Sequence, residues 1–181
     1  MLKLTSKMSL QRLVFLSFLL ALQIVLSNLA IGNSFFKISL VFLPNALIGM
    51  IAGPLWTALI LAFGDLISSL LSGYAYFPGF TISAFIVGVL YGLFFYRKFF
   101  DIKNRIHWLY LFGAMTVIML VDSTFFNTIW VTMIIPHASF ATFLSLLAAR
   151  ALLLVQIPFQ TIILMLLIPT LQSIKTLKII L

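Results

Sequence analysis

The stretch LQRLVFLSFLLALQIVLSNLA, residues 10–30, decides the fold class. It is an apolar run of about the length that an α-helix needs to cross the hydrocarbon core of a bilayer. It follows the basic residues Lys3 and Lys7, as a signal peptide would. However, it is too long for the apolar region of a signal peptide, and further apolar runs follow it. We therefore interpret it as the first transmembrane helix.

The composition excludes a soluble protein. Of the 181 residues, 64% are hydrophobic and 8% are charged, and the mean hydropathy is +1.25, whereas soluble domains are roughly 45–50% apolar and about 25% charged. The chain has no cysteine, which excludes disulfides, thiolate metal sites and cysteine nucleophiles. The net charge of +8 is interpreted first as a topology signal, and nucleic acid is not a predicted partner.

Glycine, proline and charged residues divide the chain into six apolar runs. The last run would be roughly 45 Å long as a straight helix, so we expect it to tilt or bend, with Pro158 and Pro169 as the candidate kink points. The predicted spans are 10–30, 39–52, 55–71, 80–96, 107–133 and 140–171.

The distribution of basic residues predicts the orientation. Three lie at the start of the chain, four lie between Arg97 and Arg105, and Lys175 and Lys178 lie near its end. By the positive-inside rule these three regions are cytoplasmic, which requires four spans and then two more. Since no run alternates with period two, a β-barrel is excluded. The prediction is an all-α integral membrane protein with six transmembrane helices and both termini in the cytoplasm.

Four charged residues are not explained by orientation. Lys37 lies at the outer mouth of the second span, and Asp65, Asp122 and Arg150 lie inside spans, where an ionisable group costs roughly 2.5–3.5 kcal/mol. One interpretation is structural, with Arg150 pairing with Asp122 or Asp65 to hold helices together. The other is that Lys37 and Arg150 bind the carboxylates of an anionic ligand.

Aromatic and amide side chains collect at the predicted outer ends of the spans. Aromatic walls with a few convergent polar groups suit a flat heterocycle that carries carboxylates, although a single aromatic residue there is equally typical of the interfacial belt. Together with Lys37, Asp122 and Arg150, the candidate ligand-binding residues are Asn28, Tyr74, Tyr76, Phe77, Asn127 and Trp130.

Small residues four positions apart predict close helix approaches. For the glycine pairs we expect packing inside the bundle, whereas the pair in the first span has two interpretations, internal packing or docking of another protein. The pairs are Ser17 and Ala21, Gly49 and Gly53, and Gly88 and Gly92.

Motifs for chemistry are absent from the sequence. There is no phosphate-binding GxxxxGK[ST] loop, no HExxH motif and no nucleophile elbow, and the two histidines are far apart. We therefore predict no catalytic residues, no metal site and no cofactor in this chain. The sequence predicts a binding site on the outer side of the membrane but contains no motif that would couple transport to an energy source. We therefore expect a partner protein to supply the energy.

Several stretches also carry a family resemblance, and they occur in order over nearly the whole chain. They are LAIGNSFFKI at 29–38, AFGDLI at 62–67, YFPGFT at 76–81, NTIW at 127–130, Arg150, and IPFQ at 157–160. They resemble the substrate-binding S components of energy-coupling factor (ECF) vitamin transporters, and within that group the folate-specific family.

The resemblance implies a protein of the bacterial plasma membrane that binds folate on the outside. It would dock on a transmembrane coupling subunit (EcfT-like) and two cytoplasmic ATPases (an EcfA-like pair), with Ser17 and Ala21 at the docking surface. The family often has an arginine where this chain has Asn28. This departure implies either weaker recognition of the carboxylates or a shift of that role to Lys37 and Arg150. The alternatives are an S component for a different vitamin and a membrane scaffold or assembly protein.

Overall fold

The computed structural model describes residues 10–29, 31–32, 37–73 and 76–173. Within these ranges the chain is almost entirely helical, which confirms the predicted all-α fold. The one strand pairing described is antiparallel, with β1 (Ile31–Gly32) beside β2 (Lys37–Ile38). The α-helices are α1 (Leu10–Asn28), α2 (Phe42–Ala52), α3 (Pro54–Leu71), α4 (Pro78–Phe95), α5 (Arg105–Met119), α6 (Asn127–Ile134), α7 (Phe140–Ala151) and α8 (Gln156–Ser173).

Within the described ranges, five helical units are long and apolar enough to cross a membrane. Three are single helices, α1, α3 and α4. The fourth, Arg105–Ile134, joins α5 to α6 through a π-helical turn at Leu120–Phe126, and the fifth, Phe140–Ser173, joins α7 to α8 through a 3₁₀ turn at Leu152–Val155. The sixth apolar helix, α2, has 11 residues and is about 16 Å long. It is shorter than the predicted span 39–52, since it begins at Phe42, four residues after β2 ends at Ile38.

Local sequence determines where these helices begin. Pro54 and Pro78 occupy the first positions of α3 and α4, where the missing N–H of proline has no consequence. Gly53 has φ +77° and makes the tight turn between α2 and α3, a conformation that other residues rarely adopt. The Asn104 side chain caps α5 by accepting a hydrogen bond from the Ile106 N–H at 3.0 Å.

The last helical unit departs from α geometry one turn before Pro158. Proline has no N–H to donate to the carbonyl four residues earlier, and its ring crowds that carbonyl. For Pro158 this carbonyl belongs to Leu154, which lies inside the 3₁₀ turn. The departure from α geometry thus directly precedes Pro158, one of the two candidate kink points, and a bend of the helix axis there stays a prediction. In contrast, α8 continues through Pro169 without interruption.

Glycines bring α3 and α4 into backbone contact. A Cβ added at Gly88 would lie 2.5 Å from the Cα of Ala58, and a Cβ at Gly92 would collide with Pro54. Gly49 of α2 faces the carbonyl of Tyr91 in the same way. These contacts confirm that the glycines of α2 and α4 pack inside the bundle, since only a residue without a side chain permits such an approach.

The small pair in α1 faces outward instead. Ser17 and Ala21 are both exposed, whereas Leu16, Leu19 and Gln23 form the buried side of α1. Among the described residues, the helices of the bundle therefore leave Ser17 and Ala21 exposed.

We predict that Gly88→Ala lowers the thermal unfolding midpoint of the detergent-purified protein. The added methyl group meets backbone atoms of Ala58, and overpacking of this kind costs about 1–3 kcal/mol. The matched control is Gly113→Ala in α5, because nothing lies within 4 Å of a Cβ at that position and alanine is the better helix former. An equal loss of stability in the two variants would contradict the assignment of the α3–α4 contact.

Candidate functional site

A polar cavity of about 210 Å³ lies among α1, α2, α3, α4 and the π-helical turn. We call it the first cavity. The residues of each helix that line it share one face, because they are spaced three or four apart. The lining residues are Gln23, Ser27, Val41, Asn45, Leu61, Asp65, Ser68, Phe80, Ser83, Ala84, Val87, Asp122 and Asn127.

A second cavity of about 140 Å³ adjoins the first on the side of α8. The two cavities share four residues, Val41, Asn45, Val87 and Asp122, which form the wall between them. The second cavity also has polar lining residues, among them Ser123 and Gln160. The two together form a polar interior within an otherwise apolar bundle.

Three amide oxygens of these walls have no hydrogen-bond partner among the described residues. They are Gln23 Oε1 in the first cavity, Gln160 Oε1 in the second, and Asn45 Oδ1 in the shared wall. All three side chains are at least nine-tenths buried. Since a buried acceptor without a partner costs about 1–3 kcal/mol, the cavities favour a ligand with N–H or O–H donors.

The π-helical turn places Asp122 and Asn127 in the same wall. The Asn127 backbone N–H donates to the carbonyl of Asp122, five residues earlier, which is the hydrogen bond of a π-helix. In an α-helix, residues five apart point about 140° away from each other. The wider turn brings both side chains to the first cavity, so it presents a carboxylate and an amide side by side.

A chain of hydrogen bonds connects Asp65 with the segment before α4. Thr81 Oγ1 donates to Asp65 Oδ2 at 2.7 Å, and the hydroxyl of Tyr76 is 3.0 Å from the same Thr81 oxygen. Because the single hydroxyl hydrogen of Thr81 is used on Asp65, Tyr76 is the donor to Thr81. Movement of Tyr76 therefore changes how Asp65 is held at the first cavity.

Trp130 is one hydrogen bond away from the first cavity. Its Nε1 donates to Ser83 Oγ at 2.6 Å, and Ser83 lines the cavity. The Trp130 ring stacks on Phe126 with an interplanar angle of 10° and contacts Phe77 at a centroid distance of 5.8 Å. Trp130 and Phe77 thus belong to an aromatic cluster beside the cavity.

Arg150 is buried near Asp122 but does not line either cavity. Asp122 interacts electrostatically with both Arg150 and Asp65, and Arg150 Nε is a buried donor without a partner among the described residues. The attraction between Arg150 and Asp122 is what a structural role for these intramembrane charges would require. The Nε of Arg150, which has no partner among the described residues, is also available to donate a hydrogen bond to a ligand.

The remaining predicted ligand residues are placed as follows. Asn28 is exposed at the end of α1, where its Nδ2 donates to the carbonyl of Ile24 at 2.8 Å and its Oδ1 accepts from Ser72 Oγ at 3.0 Å. Lys37 has its backbone in β2, but its side chain lies outside the described part of the chain. The predicted residue Tyr74 lies outside the described residues altogether. Both stay predictions.

Of the predicted set, Asp122 and Asn127 meet in the first cavity, with the aromatic cluster beside it. Sequence reasoning missed the buried amides Gln23, Asn45 and Gln160. Each is a polar residue inside an apolar helix, so the argument made for the intramembrane charges would have found them if it had been extended to neutral amides. In the described ranges, no cluster of three His, Cys, Asp or Glu residues has the proximity to hold a metal ion.

Comparisons with known proteins agree with this architecture. Residues 11–172 match the family model described as "ECF transporter, substrate-specific component". The folate transporter FolT of Streptococcus mutans serotype c is 35% identical over 175 residues, which cover 95% of this chain and 92% of the relative. FolT of Clostridium novyi is 35% identical over 144 residues, which cover 78% of this chain and 80% of the relative.

A solved structure shares the fold. The crystal structure of FolT bound with folic acid superposes with a TM-score of 0.72 at 29% identity, over 90% of this chain and 95% of that chain. The relatives are components of transporters and not enzymes. Because the family model matches residues 11–172, nearly the whole length of this chain, this multi-pass protein of the bacterial cell membrane belongs to the substrate-specific components of ECF transporters.

Proposed function

We propose that this chain captures folate at the outer side of the membrane for an ATP-driven importer. The observation that carries the proposal is the similarity to FolT of Streptococcus mutans, at 35% identity over 95% of this chain. The solved neighbour, FolT bound with folic acid, supports the same ligand. The cavities supply a physical reason, because their unpartnered groups suit the donor-rich end of such a molecule.

The chemistry of the first cavity is complementary to a pteridine ring. The amino and ring N–H groups of a pteridine are donors, and the cavity offers the Asp122 carboxylate and the free oxygens of Gln23 and Asn45 as acceptors. Asn127 adds an amide that both donates and accepts. The carboxylates at the other end of folate would be bound by Lys37 and Arg150, the two cations that orientation leaves unexplained.

The size of the cavities implies that the walls move when the ligand enters. Each cavity is smaller than the roughly 300–1,000 Å³ of a typical small-molecule site. Opening the shared wall at Asn45 and Asp122 would merge the two volumes. Displacement of Tyr76 would open the first cavity on the side of the segment before α4, since Tyr76 is hydrogen-bonded to Thr81 and Thr81 to Asp65.

Energy for import would come from partner subunits. The sequence contains no nucleotide-binding loop, so ATP hydrolysis belongs to an EcfA-like pair of cytoplasmic ATPases. A transmembrane EcfT-like subunit would dock on the exposed Ser17 and Ala21 surface of α1, where small side chains let two helix backbones approach. Both termini would lie on the cytoplasmic side.

A panel of vitamins tests the proposed ligand. We expect folic acid, and not riboflavin, thiamine or biotin, to raise the thermal unfolding midpoint of the purified protein, because a ligand at a hundredfold excess over its Kd stabilises the folded state by about 2.7 kcal/mol. Stabilisation by a different vitamin would identify another substrate. No stabilisation by any of the four would favour a scaffold over a binding subunit.

We expect Asn127→Ala to weaken folic acid binding about 5- to 150-fold, since a lost hydrogen bond that leaves a buried partner unsatisfied costs about 1–3 kcal/mol. Affinity is measured by titration with tryptophan fluorescence. The control is Thr170→Val, because Thr170 is exposed and its hydroxyl donates to the carbonyl of Leu166 in its own helix, outside both cavities. Unchanged affinity in Asn127→Ala, with a normal unfolding midpoint, would remove Asn127 from the binding site.

For docking, we expect Ser17→Trp and Ala21→Trp to keep folic acid binding but to lose co-purification with the coupling subunit and uptake into cells. A bulky side chain prevents close approach of the two helices. Ser145→Trp and Ala148→Trp are matched controls, because both residues are exposed on α7. Normal assembly and transport in the α1 variants would place the interface elsewhere. Loss of folic acid binding in these variants would show that this face of α1 belongs to the core of the bundle.

A further inference from the structure

The connection between α4 and α5 concentrates positive charge. Arg97, Lys98, Lys103 and Arg105 all lie within residues 97–105, which we call the basic segment, and all four are exposed. Its one acidic residue is Asp101, whose Oδ1 accepts a hydrogen bond from the Lys103 backbone N–H at 3.0 Å. The segment therefore carries a surplus of positive charge on an exposed surface.

Hydrogen bonds from three helices hold the backbone of this segment in place. The buried Gln172 of α8 uses both ends of its amide: Oε1 accepts from the Phe100 N–H at 3.1 Å, and Nε2 donates to the carbonyl of Lys98 at 2.7 Å. Trp108 Nε1 donates to the carbonyl of Ile102 at 2.9 Å, and the Arg97 N–H donates to the carbonyl of Met50. The cations are thus mounted on a fixed backbone.

Aromatic rings position two of the cations without neutralising them. Lys98 Nζ lies 4.1 Å from the centroid of the Tyr110 ring, and Arg97 Cζ lies 5.1 Å from the centroid of the Tyr96 ring. The face of an aromatic ring attracts a cation through its quadrupole, but it carries no net charge. Both side chains therefore keep a full positive charge for an external anion.

Exposed apolar side chains lie next to these cations. Phe99, Ile102 and Ile106 are 64%, 44% and 71% exposed, and they flank the ends of two helices that are apolar enough to cross a membrane. Apolar side chains beside cations at a helix end match the boundary between acyl chains and headgroups. An acidic protein surface would match the charges but would leave the apolar side chains without a counterpart.

We propose that the basic segment binds the phosphate groups of anionic phospholipids. Lys98, Lys103 and Arg105 contact the headgroups, while Phe99 and Ile106 pack against the acyl chains. Clusters of Lys and Arg next to a transmembrane helix attract anionic lipid. The fixed backbone adds selectivity, because the cations are arranged before the lipid arrives. This site is separate from the cavities and does not depend on the identity of their ligand.

The test measures which phospholipids stay bound to the full chain. The protein is reconstituted in vesicles of equal phosphatidylglycerol and phosphatidylcholine, extracted in mild detergent, and its bound lipids are quantified by mass spectrometry. We expect phosphatidylglycerol to be enriched several-fold over phosphatidylcholine for the wild type and for the charge-retaining variant Lys98→Arg/Lys103→Arg/Arg105→Lys. We expect this preference to be lost in Lys98→Gln/Lys103→Gln/Arg105→Gln.

A matched control removes the same net charge elsewhere. Lys3→Gln/Lys7→Gln/Lys178→Gln should keep the preference for phosphatidylglycerol, and a loss there equal to that of the basic-segment variant would overturn the proposal. If the neutral variant of the segment does not fold, the wild type is measured at rising NaCl, where screening should reduce the enrichment. If the enrichment of phosphatidylglycerol does not change with the NaCl concentration, the proposed contacts are contradicted.

Two further outcomes would also overturn it. If millimolar inorganic phosphate abolishes the enrichment at constant ionic strength, the segment binds a free anion and not a lipid. If the neutral variant keeps its phosphatidylglycerol but no longer co-purifies with the coupling subunits, the segment is a protein-docking surface.

Discussion

The backbone contact between α3 and α4 is the constraint on which the rest of the structure depends. Gly88 and Gly92 let α4 lie directly on Ala58 and Pro54 of α3, with no side chain between the two helices. This contact fixes the rotation of each helix about its own axis. It therefore also determines which side chains of α3 and α4 lie beside the contact. They include Asp65 and Ser68 of α3 and Phe80, Ser83, Ala84 and Val87 of α4. The first cavity is therefore a consequence of how closely the two helices pack.

A membrane-spanning bundle has little choice about where its polar side chains go. Lipid offers no hydrogen bonds, so carboxylates and amides turn inward, and here they meet around Asn45 and Asp122, the polar residues shared by the two cavities. Several of these groups have no hydrogen-bond partner in the described part of the chain, a cost that a compact structural core would avoid. We infer that the bundle keeps them for a ligand that carries its own donors, which is the proposed role of the pteridine of folate.

Much of the architecture follows from local properties of the sequence. Hydropathy predicts the apolar helices, the glycine pairs predict their contacts, and the cost of a buried charge singles out Asp122. The π-helical turn at Leu120–Phe126 has no such signal, since the stretch LVDSTFF is compatible with an ordinary α-helix and the turn depends on packing against neighbouring helices. Its consequence, Asn127 beside Asp122 in one wall, was therefore not predictable as geometry. The neutral amides Gln23, Asn45 and Gln160 also lie inside apolar helices, but they were missed because the cost of burial was applied to charged side chains alone, although an unpartnered buried amide is costly too.

Filling the first cavity with a larger side chain shows whether the ligand occupies it. Ala84 lines the cavity on α4, so Ala84→Phe places a ring in the volume that folic acid needs, whereas Ala148→Phe adds the same ring on the exposed surface of α7. Folic acid affinity is measured by isothermal titration calorimetry on both variants with matched unfolding midpoints. We expect loss of binding in Ala84→Phe and wild-type affinity in Ala148→Phe. Wild-type affinity in Ala84→Phe would show that folic acid does not occupy the first cavity.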